Sequence, residues 1–220
     1  MIHKHIYSKL TTCNTPIKDG VHILSRFYVL SVGLVVLILL GSGQVSFGQT
    51  ANTNSKTKKT SHPTWIYPVI QNVGGVHPRP NLPVRPDPKV NYKIFVDIVS
   101  SERDPSGQFK GLKRLARLVN LMAYGKVPAN HVHIIAVLDG ESGYASAINA
   151  FYQKQFKSDN PNLPILHALK KAGVKLMICS QALAEHGMPD KIVDPDVTIT
   201  LSALTDAVVY GQKGYSYMQL

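Results

Sequence analysis

The chain has 220 residues, 44% of them hydrophobic, and a formal net charge of +11. That length suits one α/β domain with additional segments rather than two large domains. No CxxC, HExxH, GxSxG or Walker-type GxxxxGK pattern is present, which removes the commonest metal, hydrolase and nucleotide readings. The charge is uneven. Lys56, Lys58, Lys59, Arg79, Arg85 and Lys89 stand against Asp87 in residues 49–90. The rest of the chain is only mildly basic, so no nucleic-acid partner is expected.

Residues 1–48 read as an export signal. Arg26 precedes an apolar run over residues 27–40, Gly41-Ser42-Gly43 breaks it, and Ser46 and Gly48 are small residues before a cut at Gln49. A positive flank, an apolar core of about 7–15 residues and small residues at the cut are the parts of a secretory signal. A permanent span wants roughly 20 apolar residues. The expected location is therefore periplasmic or secreted, with no stable membrane span after cleavage; the alternative is an anchor formed by an uncleaved signal. Of the two cysteines, Cys13 leaves with the signal and Cys179 stays. A lone exported thiol is buried and inert, joined to another chain, or reactive.

Residues 49–90 are first polar and basic, then proline-rich through Pro63, Pro68, Pro78, Pro80, Pro83, Pro86 and Pro88. Proline lacks an amide donor and fixes φ, so this is a linker or a strap over the domain. Trp65, Ile66, Tyr67, Val69, Ile70 and Val73 are too apolar for a free linker. They are expected to pack on the domain or on a neighbouring subunit.

The α/β domain spans residues 91–220. Residues 92–99 form the first strand, and a polar loop over residues 100–107 leads to a helix from about residue 108 to 124. On that helix Leu112, Leu115, Ala116, Val119 and Met122 share one face, and Lys110, Lys113, Arg114 and Arg117 form a solvated basic face. Residues 132–138 form the second strand. His131 and His133 at its start lack a third ligand nearby, and no metal site is expected. The loop Asp139-Gly140-Glu141-Ser142-Gly143-Tyr144 leads to a helix over about residues 145–156, and Asn160-Pro161-Asn162 opens the next. Residues 197–201 are a fourth strand. Ser202 caps a helix to Gln212, and residues 215–220 are a last strand. Strands alternating with helices in this way mean one three-layer α/β/α domain with a mostly parallel sheet of about five strands.

The third strand organises the rest. Residues 174–178 are apolar except Lys175, and the run ends on Cys179. Ser180 is expected to cap the following helix and Gly187 to stop it. Cys179 then sits at the carboxyl edge of the sheet, where open α/β sheets bind ligands, and beside a helix amino terminus that favours a thiolate.

Three stretches together resemble the DsrE/DsrF-like family, the YchN-like sulfur-relay fold. They are the strand–Cys–helix element over residues 174–187, the preceding Asn160-Pro161-Asn162-Leu163 with Leu166-His167-Ala168-Leu169, and the ending Leu201-Ser202-Ala203-Leu204-Thr205 through Gln212-Lys213-Gly214-Tyr215. The resemblance covers about residues 91–220. It implies a small parallel α/β sandwich assembling into a homo-oligomer, a trimer or hexamer. It also implies a persulfide on Cys179 and a sulfur donor or acceptor protein as partner, with no cofactor. The export signal and the proline-rich segment lie outside the family pattern.

Two functions follow from these readings. In the first, the protein binds or relays sulfane sulfur on Cys179, with Ser180 and Gln181 as nearby donors; carrier and sulfurtransferase-like enzyme both fit. In the second, it is a non-catalytic oligomeric module of the cell envelope. The loops that hold Ser101, Asp139 and Gly140 then line a small-ligand cleft with Cys179 as its wall.

Overall fold

A computed structural model describes residues 64–220. The export-type segment, Cys13 and the basic stretch through Lys59 lie outside the described residues.

Five strands form one sheet: β1 (Tyr92–Ile98), β2 (Val132–Leu138), β3 (Lys175–Cys179), β4 (Val197–Thr200) and β5 (Ser216–Gln219). Their order is β4-β3-β2-β1-β5 and every pairing is parallel. Parallel neighbours need crossovers, and helices supply them: α1 (Lys110–Tyr124), α2 (Asn149–Phe156), α3 (Leu163–Lys171), α4 (Ser180–Glu185) and α5 (Ala203–Gln212). This is the α/β architecture that the alternation of strand and helix patterns requires.

The two sheet faces are covered unequally. Ile94, Val96, Ile98, Ala136, Leu138, Leu176 and Ile178 point to one face and join Phe109, Leu112, Leu115, Tyr152, Leu166 and Leu169 in the large core. Successive strand residues alternate faces, so Phe95, Ile135, Val137, Met177 and Cys179 point the other way. They meet Ala182 and Ala203 in a smaller cluster, with Tyr210 packed against it. Phe95 stacks on Tyr210 at 5.5 Å between ring centroids. Burying side chains of this size contributes about 1.5–3 kcal/mol each.

The segment before β1 is part of this packing. Ile66 and Val76 form an antiparallel bridge, and Ile70 is buried in the large core. The anchor is Asn120 of α1, fully buried. Its Oδ1 accepts from the amides of Val69 (2.9 Å) and Ile70 (2.8 Å), and its Nδ2 donates to the carbonyls of Ile70, Val73 and Gly74. Residues 65–76 thus form a strap held by the Ile66–Val76 bridge, by Arg117 Nε on the Gly75 carbonyl and by five bonds from the one Asn120 side chain. Gly74 has φ +64°, and a Cβ there would lie 2.3 Å from the Arg117 amide nitrogen.

Two local expectations are corrected. The helix expected over residues 145–156 is broken. A 3-10 helix, Gly140–Ser146, ends at Ala147, and α2 starts only at Asn149. The cause is Asn160, whose Nδ2 donates to the carbonyls of Ala145 (2.8 Å) and Ala147 (2.7 Å), acceptors that a continuous helix would use itself. The cap of α4 is the second. Cys179, not Ser180, is the N-cap residue, and it makes no side-chain capping bond.

Candidate functional site

Parallel strands put all their carboxyl ends on one edge, and that edge collects the loops. β3 delivers Cys179 there. Its register partner is Thr200 of β4. On its other side Leu138 pairs with Ile178, so Asp139 comes level with Cys179 on the neighbouring strand, about 4.8 Å away in strand spacing. Cys179 is the free cysteine of the described residues, only 2% exposed. It packs with Met177, Ala182 and Ala203. The helix it begins has six residues, too short for a strong dipole, so the thiolate support expected from a helix terminus is weak.

Ser180 and Gln181 lie next to the cysteine but spend their donors on the protein. The Ser180 hydroxyl donates to the Leu201 carbonyl at 2.7 Å, and Gln181 Nε2 donates to the same oxygen at 3.1 Å. These bonds tie the β4–α5 corner down beside Cys179. Asp139 caps the 3-10 helix: its carboxylate accepts from the Gly140 amide at 2.9 Å, and its own amide donates to Ser142 Oγ at 3.0 Å. Gly140 has φ +53° with open space where a Cβ would be, so it serves the turn. Ser101 is exposed in the loop after β1. Ser180, Gln181, Asp139 and Gly140 therefore share the carboxyl edge with Cys179, while Ser101 follows the strand two places along the sheet.

Two buried carboxyl groups on the cysteine's face were not singled out in the sequence. Asp97 is 8% exposed, accepts from the Tyr217 hydroxyl at 2.9 Å on Oδ2, and has no partner for Oδ1 among the described residues. Burial pushes its pKa up, the Tyr217 bond opposes this, and the nearby Asp139 charge adds to the rise. Tyr217 is raised to about 12, first by burial of its hydroxyl end and then by the bond to Asp97. The ring as a whole is 55% exposed, and it is the hydroxyl that turns inward. Asp206 of α5 is also 8% exposed and accepts from Thr200 Oγ1 at 2.8 Å, leaving Oδ2 unpaired. Burial raises its pKa, against the Thr200 bond and the Lys175 charge. The one signal for Asp97 in the sequence is a lone acid inside an apolar strand run.

The other charged groups are structural. Asp104 accepts from Lys113, Ser106 and the Gln108 amide. Its pKa is well below the usual carboxylate range, because these bonds outweigh its desolvation. Arg103 lies over the rings of Phe109 and Phe156 at 4.4 and 4.7 Å. His167, Asp194 and Asp196 bring ligand-type atoms within 4.8 Å of one another at the amino end of β4, away from Cys179. There His167 pairs with Asp194 at 3.0 Å, and Asp194 also holds the Asp196 amide. An apolar cavity of about 250 Å³ lined by Val119, Met122, Val127, Val132 and Val174 likewise lies at the amino edge.

Comparison with known proteins supplies the relation. A search of curated proteins gave no significant match. Among solved structures, the protein of unknown function MTH1491 from Methanobacterium thermoautotrophicum is similar at 19% identity and a TM-score of 0.41, over 59% of this chain and 99% of its own. The ychN protein from E. coli is similar at 16% identity and a TM-score of 0.42, over 58% of this chain and 99% of its own. The model of the DsrE/DsrF-like family matches residues 93–220, and the chain belongs to that family.

Proposed function

We propose that this protein is an exported sulfur carrier that holds sulfane sulfur as a persulfide on Cys179. The observation that carries the reading is the position of Cys179. In a DsrE/DsrF-like chain, the free cysteine of the described residues ends β3 at the carboxyl edge, level with Asp139 and beside Thr200. The step is an exchange at sulfur. The Cys179 thiolate attacks the outer sulfur of a donor persulfide, a new S–S bond forms, the donor's own S–S bond breaks, and the donor leaves as a thiolate. Transfer onward reverses these roles with an acceptor thiolate.

At 2% exposure, Cys179 reacts only when its cover moves. That cover is the β4–α5 corner held by Ser180 and Gln181 through Leu201. These two residues act as a latch on the sulfur and not as donors to a ligand. α5 leaves Leu204, Val208 and Val209 exposed at 79%, 66% and 46%. Contiguous apolar surface of this kind supports a homo-oligomer in which a second copy covers α5. The export-type sequence of residues 1–48 supports a periplasmic or secreted location.

A second reading, a non-catalytic small-ligand module of the cell envelope, is favoured by one observation. Cys179 is free and buried, while Asp97 offers on the same face a buried carboxyl oxygen with no partner among the described residues. Persulfide-selective labelling separates the two. In a Cys13→Ala background, protein incubated with a sulfane-sulfur donor is expected to label, and the added Cys179→Ala change is expected to abolish the label. Equal labelling of the two proteins contradicts the carrier.

A further inference from the structure

The strap and α1 together build a face that the sulfur chemistry does not use. Arg114, Arg117, Leu118 and Leu121 follow one another at i, i+3, i+4 and i+7 and so share a stripe on α1, which Tyr124 extends. Leu82, Val84 and Pro86, in the proline-rich stretch between the strap and β1, line a groove of about 320 Å³ together with Leu118, Leu121 and Tyr124. Val84 is 90% exposed, Leu82 47% and Leu121 40%. Trp65 joins this face through Arg117, whose guanidinium lies 5.7 Å from its ring centroid, and through His77, a groove residue packed edge-on at 5.9 Å.

The charge on this face is mainly positive, with Asp87 beside the groove residue Pro86 as an acid in the same segment. α1 contains no acidic residue. Its two paired lysines, Lys110 and Lys113, sit at its start and are matched by Glu102 and Asp104. Arg79, Arg85 and Arg117 form no ion pair with a carboxylate among the described residues, and Arg114 lies near Glu102 without a direct ion pair. Lys56, Lys58 and Lys59 follow the same sign just upstream in the sequence. Apolar side chains ringed by guanidinium groups suit a bilayer interface, where the side chains enter the headgroup boundary and the cations meet lipid phosphates.

We propose that the strap–α1 face docks on the headgroups of an anionic bilayer. A bilayer is favoured over an acidic protein because the same chain carries the apolar run of residues 27–40. About two dozen residues link that run to Trp65, a reach of at most about 85 Å, so while the run is uncleaved and held in a membrane this face stays within reach of the lipid. α1 packs on the sheet face opposite Cys179. The docked domain therefore turns Cys179 and α5 away from the membrane, free for a partner.

Trp65 is the chain's single tryptophan and reports on the contact. The full-length chain is mixed with vesicles of acyl-brominated phosphatidylcholine, alone or with phosphatidylglycerol, and Trp65 fluorescence is followed. Quenching is expected on the anionic vesicles and to weaken as salt is raised. Arg79→Gln with Arg114→Gln is expected to weaken binding about tenfold or more. Val84→Asp, at a fully solvated position, is expected to reduce quenching as well. Equal quenching on neutral and anionic vesicles, quenching that ignores salt, or no quenching on either overturns the proposal. So does an unchanged response in the double arginine variant.

Discussion

Ser180 shows how a single hydroxyl is committed. It neither caps α4 nor points to a ligand; it holds the Leu201 carbonyl beside Cys179. Removing it should free the β4–α5 corner more often. Ser180→Ala is therefore expected to speed alkylation of Cys179 by a small thiol reagent several-fold, with little change in the melting temperature. Alkylation rates in a Cys13→Ala background measure this, and an unchanged or slower rate contradicts the latch. Asp97 makes a second residue-scale prediction. Its pKa is raised in the folded state, so between the unfolded value of 3.8 and the higher folded value the native protein binds more protons and stability falls as pH rises. Asp97→Asn removes that penalty. The melting temperature of the variant relative to wild type is expected to increase from pH 4 toward pH 7. A difference independent of pH contradicts the shift. The sequence shows Asp97 as an acid in an apolar strand, but its partner Tyr217 is 120 positions away, and only the β1–β5 pairing brings them together.

At the scale of elements, local signals and long-range contacts divide the structure cleanly. β2 and α5 are legible because each carries its own evidence: the apolar run from Ile134 to Leu138, and the Ser202 cap that accepts from the Leu204 amide. The carboxyl-edge position of Cys179 follows from the same kind of local signal. The break between the 3-10 helix and α2 is not legible, because it depends on Asn160 reaching back to carbonyls before it in the chain. The strap is half legible. Its apolar residues announce that it packs, but its docking depends on Asn120, about fifty residues away in the sequence. A prediction follows for this contact. Gly74→Ala places a methyl group against the α1 backbone at a positive φ, and Asn120→Ala leaves several buried strap groups unpaired. Each is expected to lower stability by on the order of 3 kcal/mol. Urea unfolding with limited proteolysis of the strap tests this, and wild-type stability for both variants contradicts the anchoring.

For the whole molecule, the two sheet faces have different tasks. One is closed by α1, α2 and α3 and sealed outside by the strap. The other is covered by α5 together with Ala182 of α4, with Cys179, Asp97 and Asp206 beneath α5 and exposed leucine and valine above. A single helix with an apolar outer surface is expected to be covered by another copy of the chain. Leu204→Asp with Val208→Asp, both on exposed positions, is therefore expected to reduce the assembly to monomers in light scattering without unfolding the domain. An unchanged mass contradicts α5 as the contact. The sequence makes α5 visible as a helix but hides this asymmetry, because the pattern of α5 does not say which apolar residues face the sheet.

The central claim is that Cys179 carries sulfur. Its most direct test is the intact mass of the protein isolated from its host under non-reducing conditions, with fragmentation to locate any addition. A fraction heavier by one sulfur atom is expected, with that atom on Cys179 and removed by a reducing thiol. A thiol at Cys179 that never gains sulfur, even after exposure to a persulfide donor, would contradict it.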